Sequence, residues 1–240
     1  MWNDVSDLKD FYQTRRGEVA QRMIEAGLKR LWPEVSGETI LGLGFATPYL
    51  DSFRGPENRV LAFMPGTQGA LVWPKKGAGL VAMGHEARLP FADNSIERIL
   101  LVHALESCEE LRGMLREIWR VISAQGRLVV IVPNRRGIWA QLDISPFGHG
   151  HPFTPRQLSR LLGNAMFTPA SWEGVLFAPP FSSQTLPSTA PLWEKIGQRW
   201  FKTFAGVILM EATKQIYAAT PREESRQRAF VRALDGSRKD

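Results

Sequence analysis

Residues 96–102, IERILLV, and 127–132, RLVVIV, bracket the stretch 111–122, LRGMLREIWRVI, and the reading of these three segments decides the fold. Val, Ile and Leu run almost unbroken through the two short segments, which means protein covers both of their faces. That is the pattern of interior strands in a parallel sheet. The stretch between them puts Leu111, Leu115, Ile118, Trp119 and Ile122 on one side at helical spacing, so it predicts an amphipathic helix. Strand, helix and strand at this spacing make a right-handed βαβ crossover.

Upstream, residues 39–43, 59–64 and, more weakly, 79–83 read as three further short strands. Two helices open the chain, one with an apolar face of Leu8, Phe11 and Tyr12. The other carries Val19, Met23, Ile24, Leu28, Leu31 and Trp32, and Pro33 ends it. Downstream of Asn134 the pattern changes. Residues 141–155, rich in Gly, Pro and His, read as a long ordered loop, and 154–162 as a helix capped by Thr154 with Pro155 at its first position. A Pro- and Ser-rich stretch at 178–191 precedes a helix at 192–204 and a last strand at 206–212. The expected organisation is one domain over 1–220, with N-terminal helices over 1–33 and a loop-rich lid region over 141–191. A charged flexible tail follows over 221–240.

The chain has 240 residues, a net charge of +6 and a single cysteine, Cys108, which excludes an internal disulfide. The start, MWNDVSDLKDFY, has no cationic patch followed by an apolar run, so no secretory signal is expected in it. No apolar stretch approaches the ~20 residues of a membrane span. The expected location is cytoplasmic. A positive charge permits nucleic-acid binding, but the basic residues are scattered pairs such as Arg15–Arg16, Lys75–Lys76 and Arg135–Arg136. Such scatter favours a solvated surface.

Three segments carry a resemblance to the class I S-adenosylmethionine (SAM) methyltransferases, in particular the group related to ubiquinone and menaquinone biosynthesis. They are LGLGFATP at 41–48, RLPFADNSIERILLV at 88–102 and REIWRVISAQGRLVVIVPN at 116–134; HPFTPRQLSRLL at 151–162 is a weaker fourth. The resemblance implies a Rossmann-like α/β fold, with a seven-stranded mixed sheet flanked by helices and the last strand inserted antiparallel. It also implies SAM as cofactor. On the matching positions, the cofactor-binding residues would be Gly42, Leu43, Gly44, Phe45, Ala46, Met64, Pro65, His85, Glu86 and His103.

The chain departs from the family pattern at several of these positions. Gly42 replaces an acid before the glycine loop, and Ala46 and Pro48 replace later glycines; Pro48 removes an N–H donor. The family ends its second strand in an acid that accepts both ribose hydroxyls, where this chain has Met64. Losing that acceptor weakens binding by about 1–3 kcal/mol, and an acid restored at position 64 is expected to tighten it. His85 stands where the family places an acid toward adenine, with Glu86 next to it.

His103 and His149 are the candidate catalytic bases: His103 ends a strand at the edge where open α/β sheets bind ligands, and His149 lies in PFGHGHPF, residues 146–153. No metal site is expected, because His149 and His151 lack a third ligand nearby. The expected function is SAM-dependent methyl transfer to an unidentified acceptor. The alternatives are a methyltransferase-fold partner subunit with weakened cofactor binding, or an enzyme that needs a small zinc-binding activator protein. Leu71, Val72 and Trp73, just before an edge strand, point to such an activator or to a homodimer. Alternate residues of an extended segment face opposite sides, so at least one of the three should be exposed.

Overall fold

The computed structural model describes residues 4–180, 197 and 202–216. Two helices, α1 (Val5–Gln13) and α2 (Arg15–Leu31), open the chain, capped by the side chains of Asp4 and Thr14. The first strand, β1 (Thr39–Gly44), leads into a single helical turn, α3 (Thr47–Leu50). Pro48 lies in the first turn of α3, where its missing N–H would have had no helical partner in any case. Strands β2 (Arg59–Pro65), β3 (Val81–Gly84) and β4 (Ile96–Val102) follow, then α4 (Leu111–Val121) and β5 (Ile122–Pro133). The chain continues through α5 (Pro155–Asn164), β6 (Phe167–Val175) and β7 (Val207–Lys214).

These strands form one seven-stranded sheet in the order β3-β2-β1-β4-β5-β7-β6. Strands β1 to β5 pair in parallel, and β7 lies antiparallel between β5 and β6. The mixed sheet and its antiparallel last strand are as the segments implied. Successive residues alternate between two cores. Ile40, Met64, Leu100 and Val129 pack on the side of α1 and α2, and Leu41, Phe63, Ile99 and Leu128 on the side of α4 and α5.

Several boundaries differ from the sequence reading. The third strand lies at Val81–Gly84 rather than 79–83, and the fifth begins at Ile122, immediately where α4 ends. Ile122 there pairs with Ile96 before a register shift, so a stretch that reads as a polar turn is drawn into the ladder. The sixth strand, Phe167–Val175, has no apolar run to announce it; among the described residues it is an edge strand paired with β7. Thr154 and Gln157 form the expected capping box of α5. Residues 181–191 of the Pro- and Ser-rich stretch, most of the helix expected at 192–204 and the tail at 221–240 lie outside the described residues.

Candidate active site

Strand order reverses between β1 and β4, and in open α/β sheets the ligand crevice lies at the carboxyl ends of the strands at such a point. Here the turn after β1 is drawn tightly onto the end of β4. Gly44 has φ +80°, and a Cβ on it would lie 2.2 Å from the Val102 carbonyl oxygen; only glycine fits. Phe45 N–H donates to that same carbonyl at 2.9 Å. Gly42 has a packing reason too, since the Leu50 side chain of α3 occupies the space a Cβ would take. Leu43, Phe45 and Ala46 are all buried.

His103, the residue after β4, is buried and held in the left-handed region at φ +48°. Its ring is bonded at both nitrogens. Nδ1 lies 3.2 Å from Glu106 Oε1, and Nε2 lies 2.9 Å from the Tyr12 hydroxyl of α1. The Tyr12 hydroxyl in turn lies 2.9 Å from that of Tyr49 in α3. An ionised carboxylate only accepts, so in the neutral ring the hydrogen is on Nδ1 and Nε2 accepts from Tyr12, which accepts from Tyr49. Burial raises the pKa of both tyrosines well above the ordinary phenol value, so both hydroxyls remain protonated donors. Phe45 stacks on Tyr12 at 5.7 Å, and Phe147 lies 5.0 Å from His103 between ring centroids. The network thus ties α1, α3, the end of β4 and the loop at 146–153 together.

Beside it a cleft of about 350 Å³ opens, lined by Thr67, Gln68, His85, Glu86, Ser107, Glu109 and Glu110. Thr67, Gln68, Glu86 and Ser107 also line a water-sized space farther in, bounded by Pro65, His103, Ala104, Cys108 and Met114. Pro65, His85, Glu86 and His103 therefore meet around one cavity system. His85 is exposed, its Nδ1 accepting from Ala87 N–H, whereas Glu86 is buried with the Cys108 thiol 3.7 Å away. Burial, and then the neighbouring Glu86, push the Cys108 thiol up to about 12, so it stays protonated.

Met64 is fully buried among the residues under α1 and α2, where its sulfur accepts from Leu71 N–H at 3.4 Å. His149 is half-buried in the loop at 146–153, and the residue of that loop packed on His103 is Phe147.

Three participants were not singled out from the sequence. Tyr12 reads as part of an apolar helix face, Tyr49 lies in the turn after β1, and Gln68 lies in an unremarked turn after β2. A buried face that includes tyrosine hydroxyls is the one available signal, because such hydroxyls require partners.

Residues 42–130 match the model of the family described as "Methyltransferase domain". The demethylmenaquinone methyltransferase of Corynebacterium efficiens is 27% identical over 138 residues, which is 54% of this chain and 56% of that protein. The chain spans between 34% and 56% of the length of the curated relatives it matches. Among solved structures, a SAM-dependent methyltransferase from Thermotoga maritima superposes with a TM-score of 0.62 at 18% identity, covering 88% of this chain and 96% of that one. A chain of the Haloferax volcanii complex between the Trm112 methyltransferase activator and a candidate methyltransferase gives 0.61 at 17%, covering 90% and 100%. Residues 42–130 thus match a methyltransferase-domain model, and the chain carries the fold of the class I SAM-dependent methyltransferases.

Proposed function

We propose that this chain is a SAM-dependent methyltransferase that binds the nucleoside part of its cofactor in the cleft at the carboxyl ends of β2, β3 and β4. The observation that supports it is the cleft's chemistry. Of its lining residues, the carboxylates Glu86, Glu109 and Glu110 and the amide Gln68 all offer acceptors, and His85 is the one basic group among them. A phosphorylated dinucleotide would meet like charge there, whereas the nucleoside of SAM brings hydroxyl and amino donors and an adjacent sulfonium cation. The residues present therefore fit the group. Pro65, Gln68, His85 and Glu86 would hold the nucleoside, and Gly42, Leu43, Gly44, Phe45 and Ala46 border its β1 end.

When bound, SAM supplies an electrophilic methyl group. The chain's own part is orientation and removal of the acceptor's proton. His103 is the base in this reading. Glu106 holds its Nδ1–H, which leaves the lone pair on Nε2, and a base role requires an acceptor's hydroxyl to take the place of the Tyr12 hydroxyl there. His149 is the second candidate, on the loop that brings Phe147 against His103. Calorimetric titration of the full chain with SAM and with S-adenosylhomocysteine tests the reading. Saturable binding is expected; no binding by about 1 mM, equivalent to less than about 4 kcal/mol, would overturn it.

A second reading concerns a partner. Val72 is 84% exposed and Met83, on the edge strand β3, is 61% exposed. Edge strands present unpaired backbone groups and need covering or charge. We propose that this edge docks a small activator subunit or a second copy of the chain; the similar Haloferax chain is itself in complex with an activator. Trp73 is 6% exposed and belongs to the core, so the informative substitution is Val72→Asp. Loss of a co-purifying partner or of a dimer is expected; an unchanged complex, or a chain that is monomeric and partnerless from the start, refutes this reading.

A further inference from the structure

Gln68 sits in the turn after β2, 7% exposed, and its amide nitrogen donates to the His103 carbonyl at 2.8 Å. That bond fixes which way the amide points, because a carbonyl can only accept. The Gln68 side-chain oxygen is left on the other side, buried and without a hydrogen-bond partner among the described residues. The residue lines both the wide cleft and the water-sized space at its inner end. A buried acceptor with no donor is costly unless something supplies one. Around it stand further acceptors: Glu86, whose neighbour is the weakly donating Cys108 thiol, and at the mouth Glu109 and Glu110.

We infer that Gln68 is the specificity-determining residue of this cleft, its side-chain oxygen accepting from an O–H or N–H of a phosphate-free nucleoside. This deepens the methyl-donor reading and rests on it for the nucleoside class. The selection rule follows from charge and hydrogen bonding. A ligand gains by bringing a donor to Gln68 at the inner end, and loses by bringing phosphate to the three carboxylates. The acid missing from the end of β2 is thus offset by a neutral acceptor from the following turn. The side chain of Gln68 is already pinned by the end of β4, so little conformational freedom is lost when a ligand arrives.

The test is titration of the full chain with adenosine, its 2′-deoxy and 3′-deoxy analogues, inosine, AMP and S-adenosylhomocysteine. Gln68→Met preserves length and removes the acceptor; its fold is checked by circular dichroism and melting. The wild-type chain is expected to bind adenosine at least about tenfold better than AMP, and to lose about tenfold for the one analogue that lacks the donor. In Gln68→Met adenosine weakens by about tenfold and that discrimination vanishes. Should Gln68→Met not fold, the wild-type analogue series and a Glu86→Gln/Glu109→Gln/Glu110→Gln variant, expected to recover AMP relative to adenosine, carry the test. Equal binding of adenosine and AMP, a flat analogue series, or no adenosine binding by the wild type overturns the inference. Binding of S-adenosylhomocysteine that Gln68→Met leaves unchanged also overturns it while the methyl-donor reading stands. Gln68-dependent adenosine binding with none for S-adenosylhomocysteine does the reverse.

Discussion

Tyr12→Phe isolates one hydroxyl at the centre of the buried network. The ring's stack on Phe45 at 5.7 Å and its edge contact with Phe11 at 5.2 Å are apolar and survive the change. What disappears is the atom that bonds both His103 Nε2 and the Tyr49 hydroxyl, each at 2.9 Å. Both partners are buried, so water cannot replace it without opening the structure, and each unsatisfied group costs about 1–3 kcal/mol. Removal of the hydroxyl's own desolvation cost offsets part of this. The expected loss is about 2–4 kcal/mol, or about 5–12 °C in Tm for a domain of this size. Urea unfolding and thermal melting by circular dichroism measure it. Combining Tyr12→Phe with Glu106→Gln should show a coupling of about 0.5–3 kcal/mol, since both residues act on one histidine ring. A loss under about 0.5 kcal/mol for Tyr12→Phe, within the range of ordinary surface substitutions, would refute the view that this chain of bonds holds α1 to the sheet edge.

Three further outcomes are expected. Gly44→Ala forces a Cβ to 2.2 Å from the Val102 carbonyl oxygen at a left-handed φ, so a lowered urea midpoint or insoluble chain should result; wild-type stability would contradict the β1–β4 contact. Met64→Asp should destabilise rather than tighten cofactor binding, because the side chain is fully buried among apolar groups; tighter SAM binding at unchanged melting temperature would place it in the cleft instead. Glu117 is held below its ordinary pKa of about 4.5, chiefly by its bond to Arg120. A depressed carboxylate stabilises above the unfolded pKa and loses that contribution as pH falls through the folded one. The stability gap between wild type and Glu117→Gln should therefore narrow below about pH 4.5, and a gap constant with pH in urea titrations would argue against the pair.

Where burial is complete, the sequence was readable. Strand β4 from Ile99 onward and the later part of β5 from Leu128 are covered on both faces, so their residues are apolar. Helix α4 is covered on one face, so it shows a 3.6-residue stripe. The start of β5 was not readable, since Ser123, Ala124, Gln125 and Gly126 look like a turn and join the strand only through pairing at Ile122. Strand β6 carries Pro169 and Gly174 and lies at an edge, where fewer apolar residues are needed. The exposure expected in the run 71–73 falls on Val72, as alternation requires, with Trp73 turned into the core.

For the candidate site the division is sharper. Periodicity and motif order by themselves determined that a parallel-cored sheet would present the β1 turn, His103 and Glu86 along one edge, because strand order and handedness follow from short-range patterns. Which polar atoms meet there depended on contacts that no local pattern encodes. Tyr12 reaches His103 across 91 residues and Tyr49 across 37. The Gln68 amide is fixed by a carbonyl 35 residues away. Met64 faces the core because of the register of β2 against β1 and β3, although its place in the motif suggests a ligand contact. Side-chain direction at a strand end, and the partner of a buried hydroxyl or amide, are set by packing between distant segments, and only the tertiary structure decides them.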